Sequence, residues 1–299
     1  MPSKPCDALR RQGYQFFNAA SSAALKPCMW CKRALTGGDM CYKHQFYGID
    51  SHRCVQMTPT LRCNQRCLFC WRSFEHEVVE EEECSPETIL AGIRKFQKKA
   101  LAGYNAVLQN NVTDERWEEA LLPKHIAISL SGEPTLYQQL PRLIDLFNRN
   151  DYTTFLVSNG TNPDVLARCR PYQMYISLDA PDEETYISLC RPQEDYWERV
   201  TESLAHLRSH RSAVRITLVK GLNDFAPERY AALLQESGSM FVEVKGYMYL
   251  GYSRKRLVRE NMPEHERVRS FAEKIAASSD YRIKDENRLS RVVCLERVI

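Results

Sequence analysis

The sequence predicts an α/β fold, a partial (β/α)6, TIM-like barrel carrying a cysteine-rich N-terminal extension. Three observations predict it. Short β-rich apolar runs alternate with amphipathic stretches across residues 55–250. The runs are continuously apolar, as suits parallel strands covered on both faces. Each run ends in polar or glycine-bearing residues, and parallel α/β folds collect their working groups at that end. Six such units suit a partly closed barrel better than an eight-unit one.

The strands are read at Val55–Leu61, His125–Leu130, Thr153–Val157, Gln173–Leu178, Val214–Val219 and Phe241–Tyr247. Between them the helical patterns are Pro86–Leu101, Leu140–Asn148, Glu183–Leu189, Asp195–Arg208 and Ala226–Glu236, several opened by Pro, Asp or Ser. Residues 1–54 break the alternation and are expected to pack on the barrel as an extension. Residues 55–250 form the barrel. Residues 251–299 are expected to be a basic segment with a helix or strand.

With 299 residues, 43% hydrophobic and 26% charged, the chain can bury a sizeable core. No apolar run reaches membrane-spanning length, and the opening MPSKPCDALRRQGYQFF lacks the apolar stretch of a secretory signal. Twelve cysteines in such a chain point to metal ligation in a reducing cytoplasm rather than to disulfides. A cytoplasmic monomer without membrane contact is the expectation. The net charge of +3 decides little, because charge is local. Six glutamates fall within 75–83, while Arg254, Lys255, Arg256 and Arg259 occur with no acid among them.

Strand one runs into Cys63, Cys67 and Cys70, a C-x3-C-x2-C triplet. Three thiolates can hold three irons of a four-iron cubane, and the fourth stays open to bind and reduce a small molecule. Closed clusters use four cysteines, as do many structural zinc sites. The alternatives are a zinc site that recruits a histidine, or cysteines that are merely buried. A second set, Cys28, Cys41 and Cys54, has C-x12-C-x12-C spacing, and Cys31 adds a C-x2-C with Cys28. Spacing alone leaves a second cluster and a zinc ribbon both open.

The later strands end at Ser131-Gly132-Glu133-Pro134, at Ser158-Asn159-Gly160, at Asp179 and at Lys220-Gly221-Leu222-Asn223; strand six carries Glu243 and Lys245. Singly these are ordinary turn formers. In register after successive strands they outline one mouth.

The triplet, with Phe69 before its last cysteine, resembles the signature of radical S-adenosylmethionine (SAM) enzymes. The stretch CKRALTGGDMCYKHQFYGIDSHRCVQMTPTLRCNQRCLFCWR is similar to the core of the wybutosine-pathway radical SAM enzymes, the tRNA 4-demethylwyosine synthases. HIAISLSGEPTLY, FLVSNGTNPDVL, MYISLDAPDEETY, RITLVKGLND and FVEVKGYMYLGYSRKRLVRENMPEHE continue the likeness. It is to the short, archaeal-type form without a flavodoxin-like domain, so electrons are expected from another protein, a ferredoxin or a flavodoxin.

The resemblance implies two [4Fe-4S] clusters, one on Cys63, Cys67 and Cys70 and one on Cys28, Cys41 and Cys54. It implies SAM held near Phe69, Gly132, Glu133, Ser158 and Asn159, with Asp179 at its ribose or at substrate. Lys43 matches the lysine proposed to form a Schiff base with pyruvate; the alternatives are a solvated surface amine, or a second cluster that chelates pyruvate directly while Lys43 neutralises a carboxylate. The implied reaction joins two carbons of pyruvate to N1-methylguanosine at position 37 of phenylalanine tRNA. Lys220, Asn223, Glu243 and Lys245 at the rim are expected to meet substrate. Arg254, Lys255, Arg256 and Arg259, downstream of Tyr247, Tyr249 and Tyr252, are expected to grip the anticodon loop. The remaining cysteines, Cys190 among them, are expected to be structural or incidental. The rivals are a radical SAM enzyme for another RNA or small molecule, and a metal-binding RNA module without catalysis.

Overall fold

The protein is described by a computed structural model covering residues 4–74, 82–102 and 114–298. Most of the acidic run at 75–83 lies outside the described residues. Two compact units divide the chain: the first holds described residues up to Arg62, 82–102, 114–157 and 169–172; the second holds 63–74, 158–168 and 173–298.

In the first unit, β3 (Cys54–Thr58), β4 (His125–Ile128) and β5 (Thr153–Ser158) run parallel, with Val55 opposite Ile126 and Ile126 opposite Thr154. Every residue of β4 is buried, as its unbroken apolar character demands. Helix Pro86–Leu101 makes the crossover from β3 to β4. Its N-cap Ser85 hydroxyl accepts from the Thr88 N–H (3.3 Å), and proline opens the first turn. Helix Leu140–Arg149 buries Leu140, Leu143, Ile144 and Phe147, a complete i, i+3, i+4, i+7 stripe. Each such side chain is worth about 1.5–3 kcal/mol on burial. The N-terminal extension does more than pack alongside: β1 (Gln15–Phe16) and β2 (Ala24–Leu25) add antiparallel to β3, Leu25 facing Met57.

In the second unit, β6 (Gln173–Ser177), β7 (Ser212–Leu218) and β8 (Phe241–Gly246) are parallel, pairing Tyr175 with Ala213 and Ala213 with Phe241. Helices Glu183–Cys190, Trp197–Ala205 and Pro227–Ser237 connect them. The helix expected over Asp195–Arg208 is shorter and ends in a 3₁₀ turn, His206–Ser209. The C-terminal segment contributes helix His265–Ala277 and an antiparallel pair, β9 (Tyr281–Asn287) and β10 (Val292–Arg297). β10 also pairs antiparallel with β8, Val293 facing Val244. Among the described residues no helix is long and apolar enough to cross a membrane.

Candidate active site

The cysteine loop of the second unit lies along the end of helix Glu183–Cys190. The Arg66 N–H donates to the Cys190 and Arg191 carbonyls (3.0 and 3.1 Å), and Leu68 N–H to the Leu189 carbonyl (2.9 Å). Phe69 packs with Cys67 against Ala180, Tyr186, Cys190 and Val200, which anchors the loop between two ligand candidates. Cys63 is exposed, and Cys67 and Cys70 are half-buried. The Cys67 thiol donates to Gln65 Oε1 (3.4 Å), and the neighbouring Cys190 thiol and then burial push it well up. Cys190, expected to be incidental, is therefore a neighbour of the triplet.

Two residues inside the triplet, Asn64 and Gln65, carry structure. Asn64 accepts from the Asn159 amide (2.9 Å) and donates to the Thr161 hydroxyl (2.8 Å). Asn159 closes the network by accepting from the Thr161 N–H (3.1 Å) and hydroxyl (2.8 Å). Gln65 donates to the Tyr186 hydroxyl at 2.7 Å. Ser158 turns inward, its hydroxyl accepting from the Gly160 N–H (3.1 Å). The Ser-Asn-Gly motif and the cysteine loop are thus tied together by side chains.

Three residues expected at the substrate are committed elsewhere. Asn223 is fully buried; its carbonyl accepts from Val219 N–H (2.7 Å) and its amide donates to the Asp179 and Thr217 carbonyls (2.8 and 2.9 Å). A side chain whose amide is used this fully shapes the turn and does not read substrate. Glu243 is also fully buried, its Oε2 accepting from Arg215 Nε (3.1 Å) and Nη2 (2.9 Å). These two residues are direct partners in the β7–β8 ladder. Arg215, which the sequence reading passed over, stands over the Tyr175 ring at 4.8 Å. Arg256 reaches back to the cysteine loop instead of outward to RNA, donating to the carbonyls of Leu68 (3.2 Å), Cys70 and Arg72 (3.4 Å). Arg254, Lys255 and Arg259 are exposed, as is Lys220, while Lys245 is half-buried.

Asp179 is nearly buried and accepts from the Thr217 N–H at 2.6 Å. Burial pushes its carboxyl up to about 6, against the pull of the Thr217 hydrogen bonds and of Arg215.

In the first unit, Gly132 has φ +73° and sits against the backbone of Thr60–Arg62. The Glu133 N–H donates to the Arg62 carbonyl (2.7 Å), and its buried carboxylate accepts from the Thr135 N–H (3.0 Å) and hydroxyl (2.8 Å). The Gly-Glu turn is thereby fixed to the strand-one end of its own unit.

Cys28 and Cys41 each precede a helix, Met29–Leu35 and Tyr42–Tyr47, and Cys54 opens β3. The Cys54 thiol is raised by burial first, then by Cys28, and further by Cys41, with the Lys43 ammonium opposing. The Cys54 thiol thus senses Cys28, Cys41 and Lys43, and the Cys28 thiol senses Lys43. Lys43 is half-buried, its Nζ 5.0 Å from the Phe155 ring centroid. Cys31 is buried among Leu35, Leu101 and Ala120, its Sγ donating to the His52 carbonyl (3.8 Å). Its N–H donates to the Cys28 Sγ (3.3 Å). Among the described residues no three His, Cys, Asp or Glu side chains converge on a single metal ion. Cys28, Cys41 and Cys54 are half-buried, unpaired in any disulfide, and of the donor type that ligates an iron–sulfur cluster once deprotonated.

A family model described as the radical SAM superfamily matches residues 57–234, and one described as wyosine base formation matches residues 236–297. The chain is 44% identical to the S-adenosyl-L-methionine-dependent tRNA 4-demethylwyosine synthase of Pyrococcus abyssi, covering 99% of this chain and 90% of that one. It is 38% identical to the enzyme of the same name from Methanocaldococcus jannaschii, over 99% and 96% of the two chains. A solved structure of TYW1 with a lysine–pyruvate adduct bound superposes with TM-score 0.91 at 38% identity, again over 99% and 96%. The α/β class expected from the strand pattern and the radical SAM core implied by the resemblance are borne out. The superfamily brings SAM and a [4Fe-4S] cluster, and the tRNA-modifying enzymes to which the chain is similar bring tRNA as the molecule modified. These likenesses extend along almost the whole chain, and the protein belongs to the S-adenosyl-L-methionine-dependent tRNA 4-demethylwyosine synthases, radical SAM enzymes of wyosine formation.

Proposed function

We propose that the enzyme converts N1-methylguanosine-37 in the anticodon loop of phenylalanine tRNA, together with pyruvate, into 4-demethylwyosine. In this reading Cys63, Cys67 and Cys70 hold one [4Fe-4S] cluster and leave a coordination position for SAM. Gly132, Glu133, Ser158 and Asn159 flank its methionyl part, and Asp179 its ribose. Bound there, the cluster and SAM supply a 5′-deoxyadenosyl radical able to take hydrogen from the N-methyl group. Cys28, Cys41 and Cys54 hold the second cluster, within an extension spanning residues 1–54.

Lys43 receives pyruvate. Its neutral amine forms the new C–N bond at the keto carbon, and the carbonyl oxygen leaves as water. The Phe155 face fixes where Nζ sits. Arg254, Lys255 and Arg259, in the segment 251–299, bind phosphate of the RNA, with Lys220 and Lys245 near the substrate groups. A ferredoxin or flavodoxin supplies electrons to a cytoplasmic monomer.

What supports this reading is the placement of Cys28, Cys41, Cys54 and Lys43 in one compact unit, with the Cys54 thiol feeling the other three. Anaerobic reconstitution should give about eight irons per chain. Borohydride in the presence of labelled pyruvate should trap label on Lys43. Equal trapping in Lys43→Arg removes the Schiff base from the account. Absence of a tricyclic nucleoside after incubation with N1-methylguanosine-bearing tRNA and pyruvate removes the reaction.

A further inference from the structure

Residues 68–74 follow a repeating backbone pattern that one side chain organises. The carbonyls of Leu68, Cys70 and Arg72 all accept from the guanidinium of Arg256. The same guanidinium stands over the Phe74 ring, its carbon 4.1 Å from the centroid. A planar five-donor fork is suited to several carbonyls at once, which an ammonium is not. Because trans peptides hold C=O and N–H on opposite sides, this arrangement turns the N–H groups of Phe69, Trp71 and Ser73 away from Arg256.

Two further contacts come from the same segment. The Tyr252 N–H donates to the Trp71 carbonyl at 3.0 Å. Gly251, at φ +61°, approaches so closely that a Cβ there would collide with the Trp71 carbonyl oxygen and lie 3.2 Å from its carbon. The Gly251–Lys255 3₁₀ turn and Arg256 at its C-cap therefore engage four carbonyls of the loop's C-terminal half, those of Leu68, Cys70, Trp71 and Arg72. None of this is a surface charge run.

We propose that Arg256 is a positioning residue of the cysteine loop, and that Gly251–Arg256 is a clasp which sets the geometry of the Cys67–Cys70 half and places a fixed cation behind it. The proposal rests on the assignment of Cys63, Cys67 and Cys70 as cluster ligands. A cation held beside a cluster favours its more negative, reduced form, and hydrogen bonding and local charge are among the levers that set cluster potentials.

The test uses the full chain. In cluster-free protein, hydrogen exchange of the peptide covering residues 66–74 should quicken at least tenfold in Arg256→Met, with Arg256→Lys between it and wild type. In anaerobically reconstituted protein, the midpoint potential of the SAM-binding cluster should shift negative in the same order, and the SAM KM should rise more than kcat falls. Gly251→Ala keeps the cation but displaces Trp71, so it should quicken exchange with a smaller potential shift; it also serves if Arg256→Met does not fold. Wild-type exchange across 66–74, or an unchanged potential in the Arg256 variants, overturns the proposal. Single Cys→Ala variants at 63, 67 and 70 separate the two claims: if they retain the SAM-binding cluster, the ligand assignment fails whatever the clasp does.

Discussion

Replacing Gly132 by alanine probes how tightly the Gly-Glu turn is held to the end of strand one. The backbone there has φ +73°, a region that costs an L-residue about 1–2 kcal/mol. The added Cβ would press on the Thr60 carbonyl oxygen and lie 2.7 Å from the Arg62 oxygen and 2.8 Å from the Leu61 carbonyl carbon. All three are backbone atoms, so no side chain can swing aside. Overpacking of this kind costs a further ~1–3 kcal/mol. The sum is roughly 2–5 kcal/mol, a large share of the ~5–15 kcal/mol that holds a typical domain.

Gly48→Ala supplies the comparison, since Gly48 has φ +71° but nothing within 4 Å of its missing Cβ. Urea unfolding of cluster-free protein should show Gly132→Ala losing about 1–3 kcal/mol more than Gly48→Ala. Reductive SAM cleavage by reconstituted Gly132→Ala should fall as well, because the turn can relax only by moving away from Thr60–Arg62. Equal losses in the two variants, with SAM cleavage intact, would refute the close approach.

Breaking the buried Arg215–Glu243 pair by Glu243→Gln should cost about 3–5 kcal/mol by thermal or denaturant unfolding, whereas replacing both partners by apolar residues should cost less than either single change; additive losses would argue against a coupled pair. Asn223→Ala leaves the Val219 N–H without its acceptor and should destabilise by about 1–3 kcal/mol; a stability unchanged within error would return Asn223 to the substrate. Arg254→Glu with Lys255→Glu should weaken tRNA binding and reduce the dependence of log affinity on log salt. Unchanged affinity across a salt series would make that surface an ordinary solvated patch.

What the sequence made legible follows from what each signal measures. Continuous apolar runs located all six parallel strands, because burial on both faces leaves no polar position to confuse the pattern. β9 escaped notice because Arg282, Lys284, Asp285 and Glu286 break its apolar run. β1 and β2 are two residues each, too short to show any period. Metal-ligand spacing is local, so both cysteine sets could be singled out. Partner choice is not local. Glu243 meets Arg215 only once the β7–β8 register is known, and Arg256 finds carbonyls more than 180 residues upstream. Asn223 looked like a rim ligand because nothing in its type distinguishes a side chain that braces a turn from one that faces a ligand.

The strands that the apolar pattern missed have a consequence for solubility. A strand at the end of a sheet offers unpaired N–H and C=O groups to any passing chain, and proteins blunt such edges with short strands and charge. In the first unit the strand order begins at β1, only two residues long, beside which Arg10 stands over Phe16 at 5.0 Å. In the second unit the order ends at β9, where Arg282 and Lys284 pair with Glu296 of β10 at 2.8 Å. Shortening the chain at either terminus would uncover β3 or β8, whose apolar edges have no such guard, and a chain trimmed in this way should aggregate before it loses its fold.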